Sequence, residues 1–309
     1  MFQISMTSIS KLFSNRNFIL ILAIVLGLTI GKLGAVHTQS LVLPALALIM
    51  TLSATNITAR EFTSLKGMPR TILISLLLNY VVMGGIILLM ARWLIHDSEL
   101  WTGFVVLATV PPAVAVVPFS YVLGGDTLFS LIGMTGAYLA ALVLMPAAMA
   151  LFLGVDFFDP VGLLLILGEL ILIPVVASRI LLFTGLAKRI TRWRGTIVNW
   201  SFFVTLFTIV GLNRQAFFGE FDVLVRIIII AVVISFVLGY AIKLFTKAWH
   251  IRRDTSISLI LMGTLKNYGL ASGILLTLFS ERAAIPASVC TVFGILHMVW
   301  LGFRFKKTT

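Results

Sequence analysis

Two charged residues stand deep inside apolar stretches of the chain. Lys266 lies about a dozen residues from either end of the run 255–280, and Glu169 lies about eight residues into the run 161–186. An ammonium near the centre of a bilayer costs roughly 2.5–3.5 kcal/mol on insertion scales, so a lysine there has to face a cavity or a partner. Two arrangements answer that need: Glu169 and Lys266 pair, or they share a protonatable cavity. Uncharged groups able to hydrogen-bond a solute occur at comparable depths, Asn79 with Tyr80, Ser120 with Tyr121, and Asn267 with Tyr268. Each also has a plainer use as a hydrogen-bonding contact between helices. His297 in the last apolar run is open to the same two readings, titrating group or helix contact.

Catalytic patterns are absent. The chain has no H-E-x-x-H, no G-x-S-x-G, no G-x-x-x-x-G-K-[ST] and no Cys/His cluster with metal spacing. Its four histidines are scattered at 37, 96, 250 and 297. Neither an enzyme nor a metal or cofactor protein is expected. A membrane-embedded enzyme using Lys266 and Glu169 as acid and base would lack a nucleophile, and a sensor would need a partner domain.

The candidate groups sit beside two interruptions. Pro111-Pro112-Ala113-Val114-Ala115-Val116-Val117-Pro118 places three prolines in eight residues, which removes backbone donors and clashes with the preceding turns. Gly263-Thr264-Leu265-Lys266-Asn267-Tyr268-Gly269 is a polar, glycine-flanked gap in an otherwise apolar run. Backbone left unpaired at membrane depth must face protein or a water-filled cavity. Paired broken helices are the sequence-level pointer to a transporter's binding site, because their ends present free N–H and C=O groups. Pro111, Pro112, Pro118, Gly263 and Gly269 are the expected helix-break residues.

The elements that must hold these groups are membrane helices. Apolar runs of spanning length fall at 18–36, 41–58, 70–94, 100–123, 127–153, 161–186, 196–213, 223–247, 255–280 and 283–303, ten in all. An even number places both termini on one side. Lysines and arginines follow suit: seventeen fall on the terminal side, among them Lys11, Arg60, Lys66, Lys306 and Lys307, against five on the other. By the positive-inside rule both termini are cytoplasmic. The polar start, Met1 to Arg16, lacks a small-residue cleavage site after it and leads into a first span rather than a removed signal peptide. An acidic connection at Asp156, Asp159 and Pro160 divides the spans five and five, and two odd-numbered halves, 1–155 and 156–309, would insert as inverted repeats.

Composition agrees. Of 309 residues 60% are hydrophobic and 11% charged, with a mean hydropathy of +1.12, which excludes a water-soluble domain. The net charge of +12 is broken into short clusters between apolar runs, so it reads as topology and not as a nucleic-acid face. A lone cysteine, Cys290, excludes an intramolecular disulfide framework.

With the breaks in view, the sequence resembles the bile acid:sodium symporter family in its bacterial form. One part of the likeness runs from Ala108-Thr109-Val110-Pro111-Pro112 to Leu123-Gly124-Gly125-Asp126, then Ser130 and Pro146. The other is Lys266-Asn267-Tyr268-Gly269-Leu270-Ala271, followed by Pro286 and His297. The resemblance implies an all-α membrane protein of ten helices in two inverted five-helix repeats. It also implies a panel and a core domain, and broken helices, spans 4 and 9, that cross where ions and substrate bind. Family substrates are organic anions such as bile acids, pantothenate-type acids and other carboxylates, usually carried with sodium.

The chain departs from the family at the sodium ligands. Val116 and Val117 stand where coupled members place Ser/Asn-type ligands, and Met262 and Lys266 where they have a carboxylate and an amide. Asn79 matches a family amide and Ser130 a hydroxyl, a remnant too small to enclose sodium, which an ammonium would also repel. The expectation is therefore a secondary transporter in the inner (plasma) membrane that moves a small organic anion or polar solute by alternating access. Lys266 supplies the cation, transport is proton-coupled or uncoupled, and a sodium-coupled symporter is the alternative. The expected substrate and ion site comprises Lys266, Asn267, Tyr268, Asn79, Ser120, Ser130 and Glu169.

Overall fold

The computed structural model describes residues 15–55, 68–154 and 159–305. Lys11, Arg60, Lys66, Asp156, Lys306, Lys307 and both chain termini, which figure in the expected topology, lie outside the described residues.

Every regular element among the described residues is helical, apart from one isolated β-bridge. The order is α1 (Arg16–Ile30), α2 (Lys32–Ala54), α3 (Met68–Leu94), α4 (Ser98–Thr109), α5 (Val116–Leu123) and α6 (Thr127–Leu153). It continues with α7 (Pro160–Phe183), α8 (Leu186–Leu212), the short α9 (Arg214–Gly219), α10 (Phe221–Ala248), α11 (Arg253–Thr264), α12 (Tyr268–Leu278) and α13 (Ile285–Phe305). Seven of these, α2, α3, α6, α7, α8, α10 and α13, are long and apolar enough to cross a membrane. The 27 residues of α6 extend roughly 40 Å, more than the ~30 Å hydrocarbon core. Their outward faces are apolar: Trp93, Leu151, Phe183 and Phe303 are all more than three-quarters exposed, as suits lipid-facing positions.

Helix boundaries follow side-chain chemistry. Asp97, Asp126 and Asp159 cap α4, α6 and α7 by accepting the N–H of Leu100, Phe129 and Val161 at 3.0, 2.9 and 3.0 Å. Gly124 closes α5 in the left-handed region at φ 74°. Runs 100–123 and 255–280 each fold as two helices, α4 with α5 and α11 with α12. The first turn among the described residues departs from expectation. It falls at Gly31, φ 65°, not between 36 and 41, and residues 32–38 open α2.

The helices gather into two compact units. One holds the described residues of Met1–Asn56 and Glu169–Gln215; the other holds those of Ile57–Gly168 and Ala216–Thr309. In the first, glycines allow close packing: a Cβ on Gly27 would meet Val210 at 3.0 Å and one on Gly211 would meet Ala35 at 2.7 Å. In the second, a long helix, a broken pair and a long helix occur twice in order, as α3, α4–α5, α6 and as α10, α11–α12, α13. Both α3 and α10 carry a π segment, 77–83 and 233–237, and α7 carries a third at 168–172. Such segments shift the side-chain register within a helix and recur at functional sites.

Candidate functional site

α4 cannot run on past Thr109, because Pro111 and Pro112 have no N–H and each disfavours helical backbone in the residue before it. Val110 is accordingly extended, at ψ 149°. α11 stops one residue after Gly263, where Leu265 turns extended at φ −119°, ψ 110°. The two extended gaps lie side by side. Pro112 and Lys266 form an antiparallel bridge, with Ala113 N–H donating to Leu265 O at 3.0 Å and Asn267 N–H donating to Pro111 O at 2.9 Å. Each break thus satisfies part of the other's unpaired backbone.

Lys266 completes the set. Its side chain is fully buried, and its Nζ donates to Asn79 Oδ1 at 2.9 Å, to Ala108 O at 2.7 Å and to Val110 O at 2.9 Å. In a continuous helix Ala108 O would receive the N–H of residue 112. That residue is proline, so the carbonyl is orphaned and the ammonium takes the place of the missing donor. The Tyr80 ring centroid lies 5.0 Å from Nζ, within cation–π range, and the Tyr80 hydroxyl is anchored on Ala137 O at 2.7 Å. The Lys266 nitrogen therefore rests in a cage of three neutral oxygens and a ring face, with three donor bonds made.

Asn267 does two jobs. Its Oδ1 caps α12 by accepting Leu270 N–H at 3.0 Å, and its Nδ2 donates to Tyr138 OH at 2.9 Å. Tyr138 in turn donates to Pro112 O at 3.0 Å, so α6 clasps both breaks. Ser120 is buried and shares a hydrogen bond with Ser258 at 2.9 Å, while Ser258 also donates to Asp126 O at 2.8 Å. Ser130 is buried, and its Oγ and Asn79 Nδ2 have no partner among the described residues. Tyr268 is buried with its ring against Gly294, and Tyr121 is exposed. His297 Nε2 lies 3.1 Å from Thr264 Oγ1, with Phe236 and Trp300 packed around the ring, as a helix contact would be.

The other expected residues take these places. Glu169 is exposed on the π segment of α7, and the three donor bonds of Lys266 go to Asn79, Ala108 and Val110. Pro118 sits in the first turn of α5, where a missing N–H costs nothing, and Gly263 and Gly269 lie within helix ends. The gaps themselves are 110–115 and 265–267. Tyr138 and the carbonyls of Ala108 and Val110 escape a reading of residue types. The signal for Tyr138 was its neighbours: Gly133 and Gly136 let Ser75 and Ile72 of α3 come so close that a Cβ would meet them at 2.0 and 2.7 Å.

One further cluster ties helix ends together. Arg282 Nε donates to Asp97 Oδ2 at 2.9 Å, and its two terminal nitrogens hold both Glu220 oxygens at 2.7 and 2.9 Å. The hydrogen bonds from Arg282 hold the Glu220 carboxyl below its usual value. For Asp97 partial burial acts upward, but the Leu100 N–H and Arg282 outweigh it and the carboxyl is also lowered.

No curated protein matches the sequence. The profile of the family described as Sodium Bile acid symporter family matches residues 43–218, a stretch that contains the proline break and ends before Lys266. Family members are membrane transporters, in keeping with the long apolar helices. Since the match covers more than half of the chain, the protein belongs to the sodium bile acid symporter family.

Proposed function

We propose that this protein is a secondary carrier of a small organic anion, working by alternating access, in which the Lys266 ammonium is a resident cation that replaces mobile sodium. The observation that carries the reading is the oxygen cage, two backbone carbonyls and an amide oxygen at 2.7–2.9 Å around Nζ. These are hard neutral ligands of the kind an alkali cation takes, and a tethered ammonium already occupies them. A sodium ion entering the same pocket would meet its repulsion. Because the three protons are engaged, the ammonium acts on a solute through its field and not by direct contact. α5 and α12 both begin at the gaps, so the positive ends of two helix dipoles add to that field.

The twofold order of long helix, broken pair and long helix supports two inverted five-helix repeats, 1–155 and 156–309, with α1–α2 and α7–α8 completing ten spans. The bias of lysine and arginine between alternate connections supports cytoplasmic termini, and the inner (plasma) membrane is the location this reading takes. Coupling is to protons or absent. Proton coupling would require Lys266 to release its proton and reorient during the cycle.

Purified protein in vesicles with a panel of small carboxylates tests this. Uptake that ignores sodium and is lost in Lys266→Gln supports the resident cation. Uptake that requires a sodium gradient and survives Lys266→Gln returns the protein to sodium symport.

A further inference from the structure

We propose that the cleft where α1 ends, α2 begins and α8 ends is a binding site for the phosphate headgroup of an anionic phospholipid. The cleft has a volume of about 620 Å³ and is lined by Lys32, His37, Arg214 and Gln215 together with Leu33 and Val36. That is the size of an ordinary small-molecule site.

Charge points to an anion. Lys32, Arg214 and His37 are basic side chains, Gln215 adds an amide donor, and no carboxylate is among the lining residues. Residues 15–55 contain no Asp or Glu, and 169–215 contain only Glu169.

Position and apolar exposure select a lipid over a soluble anion. The cleft lies at the ends of three apolar helices, which is where the phosphate layer of a bilayer meets a membrane protein. Beside the cations, Leu33 is 85% exposed and Val36 49% exposed, an apolar surface that suits acyl chains and is wasted on free phosphate. The basic wall is also built into the fold. Arg214 Nε donates to Leu28 O at 2.7 Å, and its side chain lies over Gly31, where a Cβ would meet Cδ at 2.6 Å.

The test is lipid retention by the full chain, reconstituted in phosphatidylcholine with or without phosphatidylglycerol and released for native mass spectrometry, with thermal melting as a second readout. Phosphatidylglycerol should be retained over phosphatidylcholine and raise the melting temperature. Lys32→Gln should weaken retention about fivefold, and Lys32→Arg should preserve it. Arg214→Gln also loses the Leu28 bond, so its helical content must be checked; Lys32→Gln with His37→Gln spares that bond. Equal retention of the two lipids, or native-like retention by the Lys32→Gln, His37→Gln double variant, overturns the proposal. Displacement of the lipid by glycerol phosphate at matched concentration assigns the site to a free anion and overturns the lipid as its occupant.

Discussion

Pro112 and Lys266 face each other across the two broken helices as an antiparallel bridge, and each makes the other necessary. The proline removes the N–H that Ala108 O would receive in a continuous helix, and the lysine, from the opposite break, supplies a donor to that carbonyl at 2.7 Å. Lys266 thus closes the junction between the two breaks.

Lys266→Ala should leave Ala108 O, Val110 O and Asn79 Oδ1 without their donor. At 1–3 kcal/mol for each buried group left unsatisfied, partly relieved by water, the expected loss is about 3 kcal/mol, read by thermal unfolding in detergent. The vacated oxygens should also admit a small cation, so sodium should stimulate residual uptake by Lys266→Ala and not by Lys266→Leu, whose side chain fills the space. Native-like uptake by Lys266→Ala without sodium would sink the resident-cation reading.

Gly84→Ala tests the cage without substituting any residue that forms it. A Cβ there would stand 2.9 Å from Ala108 O, a backbone atom that cannot swing aside. Uptake should fall at least tenfold, while helical content stays native and stability drops by about 1–3 kcal/mol, the usual range for overpacking.

Tyr138→Phe and Asn267→Ala divide the clasp. The first removes the donor to Pro112 O and the acceptor for Asn267 Nδ2, and should cost about 1–2 kcal/mol. The second loses the cap of α12 as well and should cost about 1 kcal/mol more. A double variant should lose less than the two single effects together, because both act through one chain of hydrogen bonds.

The Arg282 cluster predicts an acid limit. Asp97 and Glu220 are both lowered, so the stability they confer is complete above the ordinary carboxylate range and is lost as the pH falls through their lowered values. Melting temperature should stay flat in this respect from neutrality to about pH 5 and fall below about pH 4. Arg282→Gln should flatten that fall, and its curve should meet the native one at the acid end. Both carboxylates are partly exposed, so added salt should shrink the difference.

Parts of this arrangement were legible in the residues and parts were not. Proline announces a break by what it lacks, and a polar cluster inside an apolar run announces another, so both gaps could be placed in advance. The turn at Gly31 could not, because one residue in the left-handed region leaves no mark on hydropathy, whereas the polar stretch His37-Thr38-Gln39-Ser40 imitates a loop and folds as helix. Lys266 was conspicuous, but two of its three partners are backbone carbonyls, which no residue type encodes.

Under the proposed mechanism, the covalent tether of the Lys266 ammonium also fixes the electrical bookkeeping of a cycle. A sodium ion would leave with its cargo, whereas an amine on the chain must travel back with the protein, so its charge cancels over a full turn and only the charge of the solute is moved. An uncoupled carrier of this design exports anions from a cell with a negative interior, since the potential contributes about 2.3 kcal/mol per charge for every 100 mV. Co-transport of one proton with each anion charge would erase that dependence, so the current carried by a single turnover reports whether a proton accompanies the solute.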